Sequence, residues 1–175
     1  MSGHNKWSKI KHKKAATDAV KSREFGKLVR LIQVEAKKSG GDIQSPGLAS
    51  AIAKAQKTNM PKDNIERAIK KASEAGDSQS VLYEAYGPGG VGMIITGLTD
   101  STNRTNAEIK HILTKNSGSL GTQGSVSWNF IKNEDQEWIP QSTIEISEED
   151  GEKLSSLIEL LEEHEDVQDI YLNLE

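Results

Sequence analysis

One long segment near the start of the chain carries opposite physical demands on its two sides, and few folds satisfy both. From Thr17 or Asp18 the sequence runs to Gly40-Gly41 without a proline, and at about 100° per residue Phe25, Leu28, Val29, Ile32 and Ala36 fall on one side of a helix. Arg23, Lys27, Arg30 and Lys37 fall on the other. The apolar side requires other helices to bury it, and the cationic side suits anions. Ahead of this helix lies a short basic arm, Lys6, Lys9, Lys11, Lys13 and Lys14, with Trp7 and His12 among the cations. Lysines neutralise phosphates, and an aromatic ring in an arm this polar has no core to enter, so Trp7 is predicted to stack or dock.

Solvated charged faces on helices are common, so the charge of the whole chain decides how to read this one. Residues 1–72 hold 17 Lys and Arg against 6 Asp and Glu, whereas residues 73–175 hold 5 against 20. The formal net charge of −4 therefore conceals two parts of opposite sign. That asymmetry points to a nucleic-acid partner for the basic part.

The elements follow from breakers and caps. The first helix ends at the glycine pair. Ser45-Pro46 opens a second helix with Leu48, Ala51, Ile52 and Ala55 inward. Asn59-Met60-Pro61 stops it and starts a third, with Ile65, Ala68, Ile69 and Ala72 on one side and Lys62, Arg67, Lys70 and Lys71 on the other. Residues 73–82 read as a linker. Beyond it the expected order is a strand at Tyr83–Tyr86, a tight turn at Gly87-Pro88-Gly89-Gly90, a central strand at Val91–Leu98, and a helix opened by a Thr105/Glu108 capping box. Strands are then expected at Ser125–Phe130, with Trp128 in the sheet core, and at Thr143–Ile146. A helix capped by Ser147 and a strand at Val167–Leu172 close the chain. After the Tyr83 strand this is strand, helix, strand, strand, helix, strand. The fold class is accordingly α+β: a basic three-helix bundle over residues 1–76, then an acidic, ferredoxin-like antiparallel α+β domain over residues 80–175.

The segments GHNKWSKIKHKKAATDA, NMPKDNIERAIKKA, YEAYGPGGVGMIITGLTDSTNRT, GTQGSVSWNF and DVQDIYLNLE resemble, in order and over nearly the whole chain, the YebC family. That family also contains the mitochondrial translational activator of cytochrome c oxidase subunit I. The resemblance implies a three-helix N-terminal domain followed by α+β domains around a cleft. It also implies one of two roles: DNA-binding transcriptional regulation, or action on the ribosome that assists translation through proline-rich, stalling stretches. Here residues 131–137 lead almost directly to Trp138-Ile139-Pro140, so the chain resembles a short form without the family's inserted third domain, and the basic N-terminal surface is retained.

Catalytic chemistry has little to stand on. His4, His12, His111 and His164 lack zinc-ligand spacing, GPGG lacks the Lys and Ser/Thr of a phosphate loop, and no serine sits in a nucleophile elbow. There is no cysteine. The polar run TDSTNRT suits a strand-to-helix loop, with Arg104 the member able to contact phosphate. The expected site is therefore a nucleic-acid surface of Lys6, Trp7, Lys9, Lys11, His12, Lys13, Lys14, Arg23, Lys27, Arg30, Lys37, Lys62, Arg67 and Arg104. No cofactor, metal, small-molecule substrate or membrane partner is expected, and the expected location is cytoplasmic. Ribosomal RNA is the favoured partner and DNA the alternative. Lysines spread over an arm and a helix face suit backbone contact more than base readout.

Overall fold

A computed structural model describes residues 18–74, 78–134 and 136–175 of the chain, and within them it forms two compact units. The arm residues Lys6, Trp7, Lys9, Lys11, His12, Lys13 and Lys14 lie outside the described residues, as do Thr17 and linker positions 75–77.

The first unit is helical: α1 (Asp18–Ser39), α2 (Pro46–Lys57), α3 (Lys62–Lys70) and a 3-10 turn (Lys71–Glu74). Each joint has a local cause. Gly40 takes φ +63°, and the Gly41 N–H donates to Ala36 O at 2.8 Å, a six-residue C-terminal closure that needs a left-handed residue at position 40. Asn59 repeats the device at φ 58°, with the Met60 N–H on Ala55 O at 3.0 Å and the Met60 side chain buried after it. Pro46 is the first residue of α2, where its missing N–H costs nothing. Ser45 stands at the cap position, but its hydroxyl makes no capping bond. The core comprises Ile32, Ala36, Leu48, Ala51, Ala55, Met60, Ile65, Ala68 and Ala72. Five of these nine are alanines, so helices approach closely around few large side chains. The core is thin.

The second unit is built on a four-stranded antiparallel sheet in the order β3-β1-β2-β6. Its strands are β1 (Gln79–Tyr86), β2 (Gly92–Thr99), β3 (Ser119–Leu120) and β6 (Val167–Leu172). Two helices, α4 (Thr102–Lys115) and α5 (Glu148–Glu163), accompany it. Strand alternation assigns the faces. Tyr83, Ala85, Met93, Ile95, Ile170 and Leu172 join Ile109 and Leu113 of α4 and Leu154, Leu157, Ile158 and Leu161 of α5 in one core. On the opposite face Ile94 packs with Val126, Phe130, Trp138 and Tyr171. That face is covered by the chain between β3 and α5, which includes a small hairpin, β4 (Phe130–Lys132) with β5 (Trp138–Pro140).

The class is thus α+β, N-terminal helices followed by an antiparallel sheet with helices on one face. The connections differ from the split β-α-β order expected. The first strand begins at Gln79 and pairs along its full length with β2 through the GPGG turn, making it a full member of the sheet. Thr143–Ile146 contributes only one parallel bridge, Ile144 to Leu174. Ser125–Phe130 is not a strand. Gly124 adopts φ +85°, Ser127–Asn129 forms a 3-10 turn, and the ladder begins only at Phe130. Trp128 accordingly lies outside the core, 71% exposed. The helix cap is Ser101 rather than the Thr105/Glu108 pair, because Thr105 sits inside α4 and its buried hydroxyl turns toward Thr99 and Asp166.

Candidate nucleic-acid interface

The helical unit carries most of the described candidate cations. Arg23 lies in α1, with its side chain outside the described set. Lys27 and Arg30 are half-buried and Lys37 is exposed, on the side of α1 away from Ile32 and Ala36. Val34, on that same side, is only 6% exposed, so the cationic side is not uniformly open to solvent. None of Lys27, Arg30 and Lys37 is without a partner. On α3, Lys62 and Arg67 are exposed, with Lys62 Nζ 3.5 Å from Glu66. At these exposures that ion pair is worth little and yields readily to a phosphate. Lys54 and Lys57 add charge in the last turn of α2, cations that the sequence reading left out of the site.

Arg104 belongs to a different environment. It sits on α4 in the second unit, where its guanidinium donates to Asp166 Oδ2 at 2.9 Å, pairs with Asp100 Oδ1 at 2.9 Å and approaches Glu108 Oε2 at 3.9 Å. The hydrogen bonds to Asp166 and Asp100 push its pKa up. Asp166 is 3% exposed and also accepts from the Thr105 hydroxyl at 2.6 Å. A phosphate approaching Arg104 meets three carboxylates, and the guanidinium is a member of a network within its own unit.

His164 completes that network. Its Nδ1 accepts the Asp166 backbone N–H at 3.1 Å, which leaves Nε2 as the protonated nitrogen, donating to Glu108 Oε2 at 2.8 Å. Ligand atoms of Glu108, His164 and Asp166 lie within 4.8 Å of one another, close enough for a metal ion. The Arg104 guanidinium lies beside them, 2.9 Å from Asp166 Oδ2.

The sequence reading missed Glu84. This strand residue is 5% exposed on the sheet face away from the helices. Its carboxylate accepts the backbone N–H groups of Gly124, Val126 and Ser127, each at 2.7 Å, and the Ser127 hydroxyl at 3.2 Å. Burial pushes its pKa up, but the N–H donors outweigh burial and hold it below the usual glutamate value. An isolated acid within an alternating strand was the available signal. Its partners, 40 or more residues away, were not. Among the described residues no helix is long and apolar enough to cross a membrane.

Residues 5–75 match the family description "TACO1/YebC protein N-terminal domain", and residues 78–134 and 131–174 match "TACO1/YebC second and third domain". A probable transcriptional regulatory protein of Thermosipho africanus is 36% identical over 237 aligned positions that span 100% of this chain and 94% of the relative. One from Thermotoga maritima is 37% identical over 238 positions, with the same coverages. With 175 residues here, both relatives carry residues that have no counterpart in this chain. One from Desulforapulum autotrophicum is 52% identical over 136 residues, 75% of this chain and 55% of its own. The crystal structure of a conserved hypothetical protein from Aquifex aeolicus superposes with a TM-score of 0.78 at 31% identity, covering 92% of this chain and 93% of the other.

Proposed function

The chain belongs to the TACO1/YebC family, and from that premise we propose that it is a non-enzymatic, nucleic-acid-binding regulator of gene expression. Its finer role in this reading is that of a cytoplasmic, ribosome-associated translation factor. The basic arm and the cations of α1 and α3 hold ribosomal RNA, and the factor assists elongation through stalling, proline-rich sequences. The observation that carries the reading is the partition of charge, 17 Lys and Arg against 6 Asp and Glu in residues 1–72 of a chain whose net charge is −4. Of those cations only Arg23, Arg30 and Arg67 are arginines. Lysines act on phosphates as point charges, whereas base reading favours planar bidentate donors. This composition supports backbone contact over sequence readout.

A second reading, a DNA-binding transcriptional regulator using the same surface, is favoured by the names of the relatives. Co-sedimentation with purified ribosomes at moderate salt, in the presence of excess nonspecific DNA duplex, separates the two. Retention on ribosomes is the expected outcome, and loss to the duplex moves the DNA reading ahead. Under either reading binding weakens steeply with salt through counterion release. Changing Lys9, Lys13, Lys27 and Arg30 together to Glu abolishes it while the chain stays folded. Undiminished binding by a folded quadruple variant would place the interface elsewhere.

A further inference from the structure

The second unit uses a buried charge to hold an exposed tryptophan in place. Glu84 fixes the backbone of Gly124–Ser127 through three N–H donors, and the residue that follows, Trp128, is 71% exposed. The rings at this point are tied together. The Trp128 indole Nε1–H and the Tyr86 hydroxyl both donate to Ser125 O, at 2.9 and 2.8 Å. Gly121 lets the loop lie against Tyr86, since a Cβ there would meet its Cε2 at 3.3 Å and Ser125 Oγ at 2.5 Å. Leu82 shares the sheet face with Tyr86 and is 43% exposed, and Ile131, at the start of the nearby hairpin, is 54% exposed. A loop built only for stability would turn its largest apolar side chain inward. A fixed Trp beside a fixed Tyr, with the exposed Ile131 three residues on, has instead the make-up of an interface hot spot.

The charge around it selects the partner. Glu134 and Glu137 lie between the strands of the same hairpin, and residues 73–175 hold 20 acidic residues against 5 basic ones. The nearby cation Lys132 is engaged, its Nζ 5.0 Å from the centre of the Trp138 ring. An exposed apolar patch on a unit of strongly acidic composition repels phosphates and complements a basic protein surface. The two matched segments of the second-and-third-domain description also overlap at 131–134, in this hairpin. The family match thus divides beside the patch.

We infer that Tyr86, Trp128 and Ile131 form a docking surface for a basic protein of the ribosome. This rests on the ribosome reading above and assigns its protein contact to the acidic unit. The test uses the full chain and purified ribosomes. Trp128→Ala should weaken co-sedimentation by about tenfold or more, while Trp128→Phe retains most of it. A photo-crosslinking phenylalanine analogue in place of Ile131 should label a basic ribosomal protein. Because Trp128 is exposed, circular dichroism of Trp128→Ala should match that of the parent. Crosslinks to ribosomal RNA or to a second copy of the chain, or unchanged binding by Trp128→Ala, would overturn this inference and leave the ribosome reading standing. If the parent chain itself stays in the supernatant, the ribosome reading fails and this contact fails with it.

Discussion

Glu84 and Asp166 are buried acids, 5% and 3% exposed, and each is held by what it accepts. Asp166 takes a guanidinium and a hydroxyl from α4, and Glu84 takes three backbone N–H groups from a loop. Glu84→Gln keeps the shape but faces those N–H groups with a neutral amide. It is expected to cost about 2 kcal/mol at neutral pH, the scale of hydrogen bonds to a charged group. The pH dependence has a definite sign. A carboxylate held below its unfolded pKa stabilises the fold fully above the ordinary glutamate range, and the benefit disappears as pH falls through the depressed folded value. Urea unfolding followed by tryptophan fluorescence should therefore show parent and variant diverging at neutral pH and converging in acid. Equal midpoints at pH 7 would remove Glu84 from its anchoring role. At this scale the sequence was least legible, because a buried and an exposed glutamate in an alternating strand look the same until their partners are placed.

Helix joints were the most legible features, because their causes are local. The Gly40-Gly41 stop, the Pro46 start and the Asn59-Met60-Pro61 junction are each decided within about one turn of chain. Gly40→Ala tests this. No atom lies within 4 Å of the added methyl, so the only penalty is the left-handed conformation at φ +63°. A loss of about 1 kcal/mol is expected, read as a lower thermal midpoint of the helical signal. An unchanged midpoint would show that the helix end relaxes elsewhere. Strands fared unevenly for the converse reason. The β2 pattern, nearly all buried, announces a central strand, whereas Ser125–Phe130 alternates equally well but gives its Val126 and Ser127 N–H groups to Glu84 and those of Ser125 and Asn129 to local turns.

At the scale of the molecule, two units of opposite charge follow one another along the chain, and the hairpin β4–β5 marks where longer relatives carry additional residues. A position that accepts a whole insertion in relatives should accept a flexible one here. Inserting about twenty Gly and Ser residues in the 133–137 turn should cost only about 1.5 kcal/mol of loop closure. The insert should leave the far-ultraviolet spectrum of the remainder unchanged, and collapse of the sheet signal would contradict this. The sequence by itself determined the joints of the first three helices, the α+β class, the charge partition and the family, since these depend on residues close in sequence, on motifs read in order or on counts along the chain. Only the tertiary structure decided the sheet order, the burial of Glu84, the ring of carboxylates around Arg104 and the exposure of Trp128. Those depend on which distant backbone and carboxylate groups meet, and spacing along the chain carries no record of that.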